Sequence, residues 1–159
     1  MTLALRAATP ADTSLIAGLI AELAAYEKLA GEAEATPDDL ARDLFAPNPR
    51  VFAEVAEWNG APVGFALWFY TYSTFQGRHG IWLEDLYVRP EARGRGIGKA
   101  LLSGLAQRCL SENLGRLEWW VLDWNKPSIE FYLSQGAVLQ SEWTKCRLEG
   151  EALRARGVA

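Results

Sequence analysis

Residues 84–102 read Glu84-Asp85-Leu86-Tyr87-Val88-Arg89-Pro90-Glu91-Ala92-Arg93-Gly94-Arg95-Gly96-Ile97-Gly98-Lys99-Ala100-Leu101-Leu102. The run predicts the end of a strand, a tight basic loop and the start of a helix. Leu86 and Val88 suit a strand, and Pro90, with no N–H to donate, ends its ladder. Glycines at 94, 96 and 98 allow close backbone approach, so successive N–H groups can converge on an anion. The first turn of the helix adds its own N–H groups and dipole. Arg89, Arg93, Arg95 and Lys99 stand here against Glu91 alone. The physical reading is a phosphate cradle; the simpler alternative is a glycine-rich turn with solvated arginines.

Upstream, residues 51–58 and 62–72 read as strands joined by the hairpin signal Asn59-Gly60, and a turn at 76–80 leads into a strand over 81–88. The near-continuous apolar character of 62–72 marks it as central. At the start, residues 2–7 read as a strand. Thr9-Pro10-Ala11-Asp12 then opens a helix whose apolar spacing (Leu15, Ile16, Leu19, Ile20, Leu23, Tyr26) runs to about residue 28. Thr36-Pro37-Asp38-Asp39 opens a second helix near 37–46, ended by Pro47 and Pro49. Downstream, a helix over 97–111 precedes a strand over 116–122, with Trp119 and Trp120 on opposite faces. Asn125-Lys126-Pro127-Ser128 opens a short helix that Gly136 closes. Residues 137–149 predict two last strands or one bent one, and the charged tail from 151 is expected to fray. This is a mixed α/β sheet of six or seven strands, mostly antiparallel with one parallel pair. About four helices lie on its two sides, and residues 1–159 make a single domain.

A chain of 159 residues, half of them hydrophobic, can bury a real core. A net charge of −4 argues against a nucleic-acid partner. Cys109 and Cys146 lie far apart in no metal-ligand spacing, and Cys109 falls on the apolar stripe of its helix as a buried free thiol. With His79 the one histidine, a metal site has little support. No signal peptide and no membrane-length apolar run is visible, so cytoplasmic residence is the default expectation.

Two familiar phosphate loops do not fit. A P-loop needs glycine where Arg93 stands and Ser or Thr where Ala100 stands. A dinucleotide fingerprint needs glycine where Lys99 or Leu101 stands. Arg93-x-x-Gly96-x-Gly98 instead resembles the pyrophosphate-binding motif of the GNAT N-acetyltransferases, which grip coenzyme A. The order of elements is similar to theirs along the whole chain. Tyr26-Glu27, Leu83-Glu84-Asp85 and Trp124-Asn125-x-Pro127-Ser128-Ile129-x-Phe131-Tyr132 narrow the resemblance to the diamine acetyltransferases, of the spermidine/spermine type and its thialysine-acetylating relatives.

The resemblance implies direct transfer of an acetyl group from acetyl-CoA, as co-substrate and without a metal, to a primary amine in a ternary complex. Such an amine has a pKa near ~10.4 and must lose a proton, while the leaving thiolate needs one. It implies Glu84 as base or proton relay and Tyr132 as the acid. Cofactor contacts fall on Leu86, Tyr87, Val88, Arg93, Gly94, Arg95, Gly96, Ile97, Gly98, Lys99, Asn125, Lys126, Pro127 and Ser128. Acceptor contacts fall on Tyr26, Glu27, Glu84, Asp85, Glu118, Trp119, Trp120 and Trp143. In a regular strand Asp85 would point away from Glu84; a bulge, which the family has here, would bring both nearer the cleft. Trp120 is bulkier than expected for the polyamine enzymes, and 138–145 departs from the pattern, which leaves smaller amines open. A homodimer is also implied. The rival readings are a protein-lysine acetyltransferase and a non-catalytic acyl-CoA-binding sensor.

Overall fold

The computed structural model describes residues 1–158. It divides into two compact units, Met1–Trp124 and the segment from Asn125 onward. In the first, β1 (Leu3–Ala7) leads through a 3-10 turn at Pro10–Asp12 into α1 (Thr13–Tyr26). Then follow α2 (Pro37–Leu44), β2 (Phe52–Trp58), β3 (Ala61–Ser73), β4 (Arg78–Val88), α3 (Ile97–Ser111) and β5 (Leu117–Glu118). The sheet order is β1-β2-β3-β4-β5; the first three pairings are antiparallel and β4–β5 is the one parallel pair.

Both helix starts behave as their sequences predict, with one shift. Thr36 accepts from the Asp39 N–H (3.2 Å) and its own N–H donates to the Asp39 carboxylate (2.9 Å), a reciprocal cap. At the other start the α-helix begins three residues later than Pro10. Asp12, itself buried, pairs with the partly exposed Arg6 (2.7 Å) while accepting from the Thr9 N–H, and the first turn is 3-10.

The sheet buries both faces. Ala53, Phe65, Leu67 and Tyr87 point to one side and pack with Ile16, Leu19 and Leu23 of α1 and Leu40 and Leu44 of α2. On the other side α3 crosses the even-numbered residues of β2 and β3, where Arg108 reaches Glu54 (3.8 Å) and lies over the Trp68 ring (5.0 Å). Leu101 and Leu105 of α3 are fully buried, and the free thiol of Cys109 is buried on the same helix, as its place on the stripe predicts.

Leu67 of β3 pairs with Asp85, but Trp68 pairs with Leu83, so Glu84 has no partner across the ladder. Glu84 is the extra residue of a β-bulge. Side chains alternate with period two, so the insertion turns everything after it to the opposite face. Trp82, paired with Phe69, and Asp85, paired with Leu67, therefore share the α1 side, and Tyr87 enters the core there.

Four expectations are corrected. The sheet has five strands among the described residues, not six or seven. β5 is Leu117–Glu118 rather than 116–122: its ladder stops opposite Trp82, just before the bulge bends β4 away. Residues 137–149 form no strand, because the second unit holds α4 (Lys126–Ser134) and α5 (Gly150–Gly157) and no strand to accept their backbone hydrogen bonds. The tail, expected to fray, is α5, with Arg154 and Arg156 in the last turn and Glu151 in the first, as a helix dipole favours.

Gly64 allows β3 and β4 to approach beside the basic loop. A Cβ there would lie 2.5 Å from the Tyr87 carbonyl oxygen and 3.2 Å from Val88 Cα. Gly64→Ala is expected to lose about 1–3 kcal/mol in urea denaturation. Gly18→Ala, on α1 with nothing within 4 Å of its Cβ, is expected to hold or gain up to about 1 kcal/mol. Equal stability for the two variants would contradict this account of the β3–β4 contact.

Candidate functional site

The bulge gathers carboxylates at the end of α1. Glu27 follows the last residue of α1, while Glu84 and Asp85 stand at the bulge of β4. Burial pushes the Asp85 carboxyl up to about 7, with the charges of Glu84 and Glu27 adding to it. Burial, then Glu84, raises Glu27 as well. The causes that raise both groups are burial and neighbouring carboxylates, so among the described residues the cluster is short of positive charge. Glu84 is exposed and accepts a hydrogen bond from Trp82 Nε1 (2.8 Å). The Trp82 ring meets Trp120 edge-on at 5.4 Å, and Trp120 itself is half exposed. A carboxylate pair walled by indole rings suits an ammonium group, through ion pairing and cation–π contact.

Beyond Trp82, residues 83–88 of β4 lie past the end of the β5 ladder and run straight into the basic loop. Gly94 and Gly96 have φ of 75° and 77°, left-handed values that glycine adopts without strain, and no atom crowds the Cβ position of either. Gly96 is the N-cap of α3 and provides no side-chain cap, so the first-turn N–H groups of Ile97, Gly98 and Lys99 are left for a ligand's oxygens. Arg95 and Lys99 are exposed beside them. These residues fit an anionic diphosphate.

The four basic side chains, grouped together in the sequence, do not act alike. Arg89 points away and pairs with Glu22 of α1 (3.0 Å). Arg93 Nε donates to the Val88 carbonyl (2.9 Å), and its guanidinium lies over the rings of Tyr26 (4.9 Å) and Tyr87 (5.6 Å). Arg93 thereby ties the loop back to β4 and α1. Arg95 lies over Trp58 (5.4 Å).

Glu118 closes the short β5, and Trp119, half-buried, follows it. Of the remaining predicted residues, Asn125, Lys126, Pro127, Ser128, Tyr132 and Trp143 belong to the second unit. There the Asn125 side chain caps α4 by accepting from the Ser128 N–H (3.4 Å). Pro127 sits in the first turn, where its missing N–H costs nothing. Tyr132 is buried, with Phe131 at 5.3 Å between ring centroids, and Trp143 is exposed. Three neighbours of the site were given no site role from sequence, although Trp124 belongs to the motif quoted there. Trp82 carries the hydrogen bond to Glu84, and its spacing of two along a strand was the available signal. Trp124 lies 6.3 Å from Tyr26, and Lys28 places its ammonium 4.3 Å above the Trp124 ring.

The chain matches the Acetyltransferase (GNAT) family over residues 19–137. It is 39% identical over 161 aligned residues to the thialysine N-epsilon-acetyltransferase of Bos taurus, with 94% of each chain covered. It is 31% identical to the L-ornithine N5-acetyltransferase of Arabidopsis thaliana, covering 95% of this chain and 86% of that one. An integron cassette protein from the mobile metagenome of V. cholerae has the same fold, with a TM-score of 0.83 at 27% identity over 100% of this chain and 99% of the other.

A raised carboxyl has a defined effect on stability. The folded-state value of Asp85 is about 7 against an unfolded value of 3.8, so between these pH values the folded chain holds more protons than the unfolded one. Stability therefore falls as pH rises through that window, by up to about 4 kcal/mol from this group. Asp85→Asn is expected to unfold at higher urea than the wild type at pH 8, by more than about 1 kcal/mol, with the difference vanishing near pH 4. A gap that stayed constant between pH 4 and 8 would show that Asp85 is not held protonated by its surroundings.

Proposed function

Since the chain belongs to the GNAT family of N-acetyltransferases, we propose that it moves an acetyl group from acetyl-CoA to a primary amine of a small cationic acceptor. The acceptor class is diamine, polyamine or thialysine-like, and transfer is direct, within a ternary complex. The observation that carries this reading is the bulge that sets Glu84 and Asp85 beside the loop of Gly94 and Gly96. The names of the relatives support an amine on a short chain, and among these acceptors we favour an amino acid with a terminal amine. The reading takes residues 1–159 as one catalytic domain and, from the family resemblance, a cytoplasmic homodimer. Among the described residues no helix is long and apolar enough to cross a membrane.

The proposed roles follow from the chemistry each group can perform. When bound, acetyl-CoA supplies the acetyl thioester. The N–H groups at the start of α3, with Arg95 and Lys99, hold its diphosphate. Arg93 keeps the loop in register by bonding Val88. The family resemblance gives further cofactor contacts to Leu86, Tyr87 and Val88 of β4 and to Asn125, Lys126, Pro127 and Ser128 at the start of α4. Glu84 receives the acceptor's ammonium, oriented by Trp82, with Tyr26, Glu27, Glu118, Trp119 and Trp120 as surrounding contacts and Trp143 at the rim. The proton leaves the amine for the carboxylate pair. Asp85, at about 7, is the member whose affinity for a proton suits neutral pH. Sequence reasoning gave Glu84 the role of base or proton relay; here we take Glu84 as the relay and give the proton to Asp85. Tyr132 returns a proton to the leaving thiolate.

Thiol release from acetyl-CoA with putrescine, spermidine, spermine, thialysine, ornithine and lysine tests the reading. Turnover is expected with at least one of the short acceptors, and none with any of them would sink it. The kcat/KM for that acceptor should rise with pH through about 7, because the base must be unprotonated, and Asp85→Asn should remove this limb. Tyr132→Phe should lower kcat by about 10²-fold or more; unchanged turnover would refute the acid role.

A further inference from the structure

Lys28 has a left-handed backbone, φ 62°, at the end of α1. Its N–H bonds back to the Ala25 carbonyl (3.1 Å) and that of Leu29 to Ala24 (2.8 Å), a helix C-cap in which glycine is the low-energy choice. A lysine there costs on the order of 1 kcal/mol of backbone strain. The side chain it places is specific in position: Nζ stands 4.3 Å above the Trp124 ring, and Trp124 stands beside Tyr26. No carboxylate pairs with Lys28 among the described residues. The adjacent residue in the chain, Glu27, is coupled to Glu84 instead. Two poles thus leave the end of α1: an acidic one at Glu27, Glu84 and Asp85, and a cationic one at Lys28 on the face of Trp124.

A molecule complementary to both poles carries an ammonium at one end and a carboxylate at the other. A simple diamine would bring its second ammonium up to Lys28 and be repelled. We infer that Lys28 is a specificity-determining residue that selects acceptors bearing a carboxylate distal to the reacting amine, over the diamine of the same length without it. This rests on the acetyltransferase reading above and narrows its substrate class.

The test compares L-ornithine with putrescine and L-lysine with cadaverine, pairs that differ by the carboxylate, with acetyl-CoA and purified enzyme. Lys28→Gly removes the ammonium at a backbone position glycine favours, so loss of fold cannot account for its effect, and Lys28→Glu reverses the charge. The wild type is expected to favour the amino acid of a pair. Lys28→Gly should cut that kcat/KM preference about tenfold, chiefly through KM, Lys28→Glu should turn it towards the diamine, and Lys28→Arg should keep it. A preference ratio that is the same in wild type, Lys28→Gly and Lys28→Glu would overturn the inference while leaving the acetyltransferase reading intact. Failure of the wild type to acetylate any of the four, or any acceptor in the wider panel, would remove the reading and this inference together.

Discussion

Side chains on a strand alternate, and one inserted residue reverses every face that follows. β4 contains such an insertion at Glu84, and most of the site geometry depends on it. Without it, Asp85 would lie on the α3 side with Leu83, and Tyr87 would leave the core it shares with Phe65 and Leu67. With it, Asp85 is half-buried on the α1 side near Glu27, and Glu84 is freed from the ladder to accept a hydrogen bond from Trp82. The same bend explains why β5 stops opposite Trp82. The strand end beyond it leads directly into the loop at the start of α3.

Charge follows from that arrangement. Elsewhere on the sheet, charges are matched in ion pairs: Arg6 with Asp12 and Glu57, Arg89 with Glu22, and Arg108 with Glu54. Among the described residues the carboxylates at the bulge have no such ion pair, and burial plus the charges of Glu84 and Glu27 raise the Asp85 carboxyl to about 7. An uncompensated acidic cluster is destabilising in the free protein and is relieved by a bound cation. Across β4 the balance is opposite, with Arg95 and Lys99 exposed beside glycine backbone and an uncapped helix. The acidic cluster and the basic loop thus have opposite electrostatic demands, and one strand, β4, connects them.

Much of this was legible before any fold was known. The strand–loop–helix reading of residues 84–102, the caps at Thr36 and Asn125, and the buried Cys109 follow from local chemistry that needs no distant partner. Apart from the tail, which forms α5, the places where sequence misled involve partners remote in the chain. Arg89 and Arg95 look alike in the loop, yet Glu22, 67 residues away, takes the first, and Trp58 lies under the second. Residues 137–149 have strand-like composition and remain outside any ladder, since strand formation requires a neighbour.

The sequence by itself determined the elements, the basic glycine loop and the set of carboxylates and aromatics available to a site, because caps, turns and periodicity act over a few residues. It also carried the family's motifs in order. Only the tertiary structure decided which face Asp85 occupies, how far β5 extends, which arginines are free, and that Lys28 rests on Trp124. Each of these depends on register or on a contact between distant segments. A register error of one residue leaves composition and spacing unchanged while exchanging the two faces of the sheet.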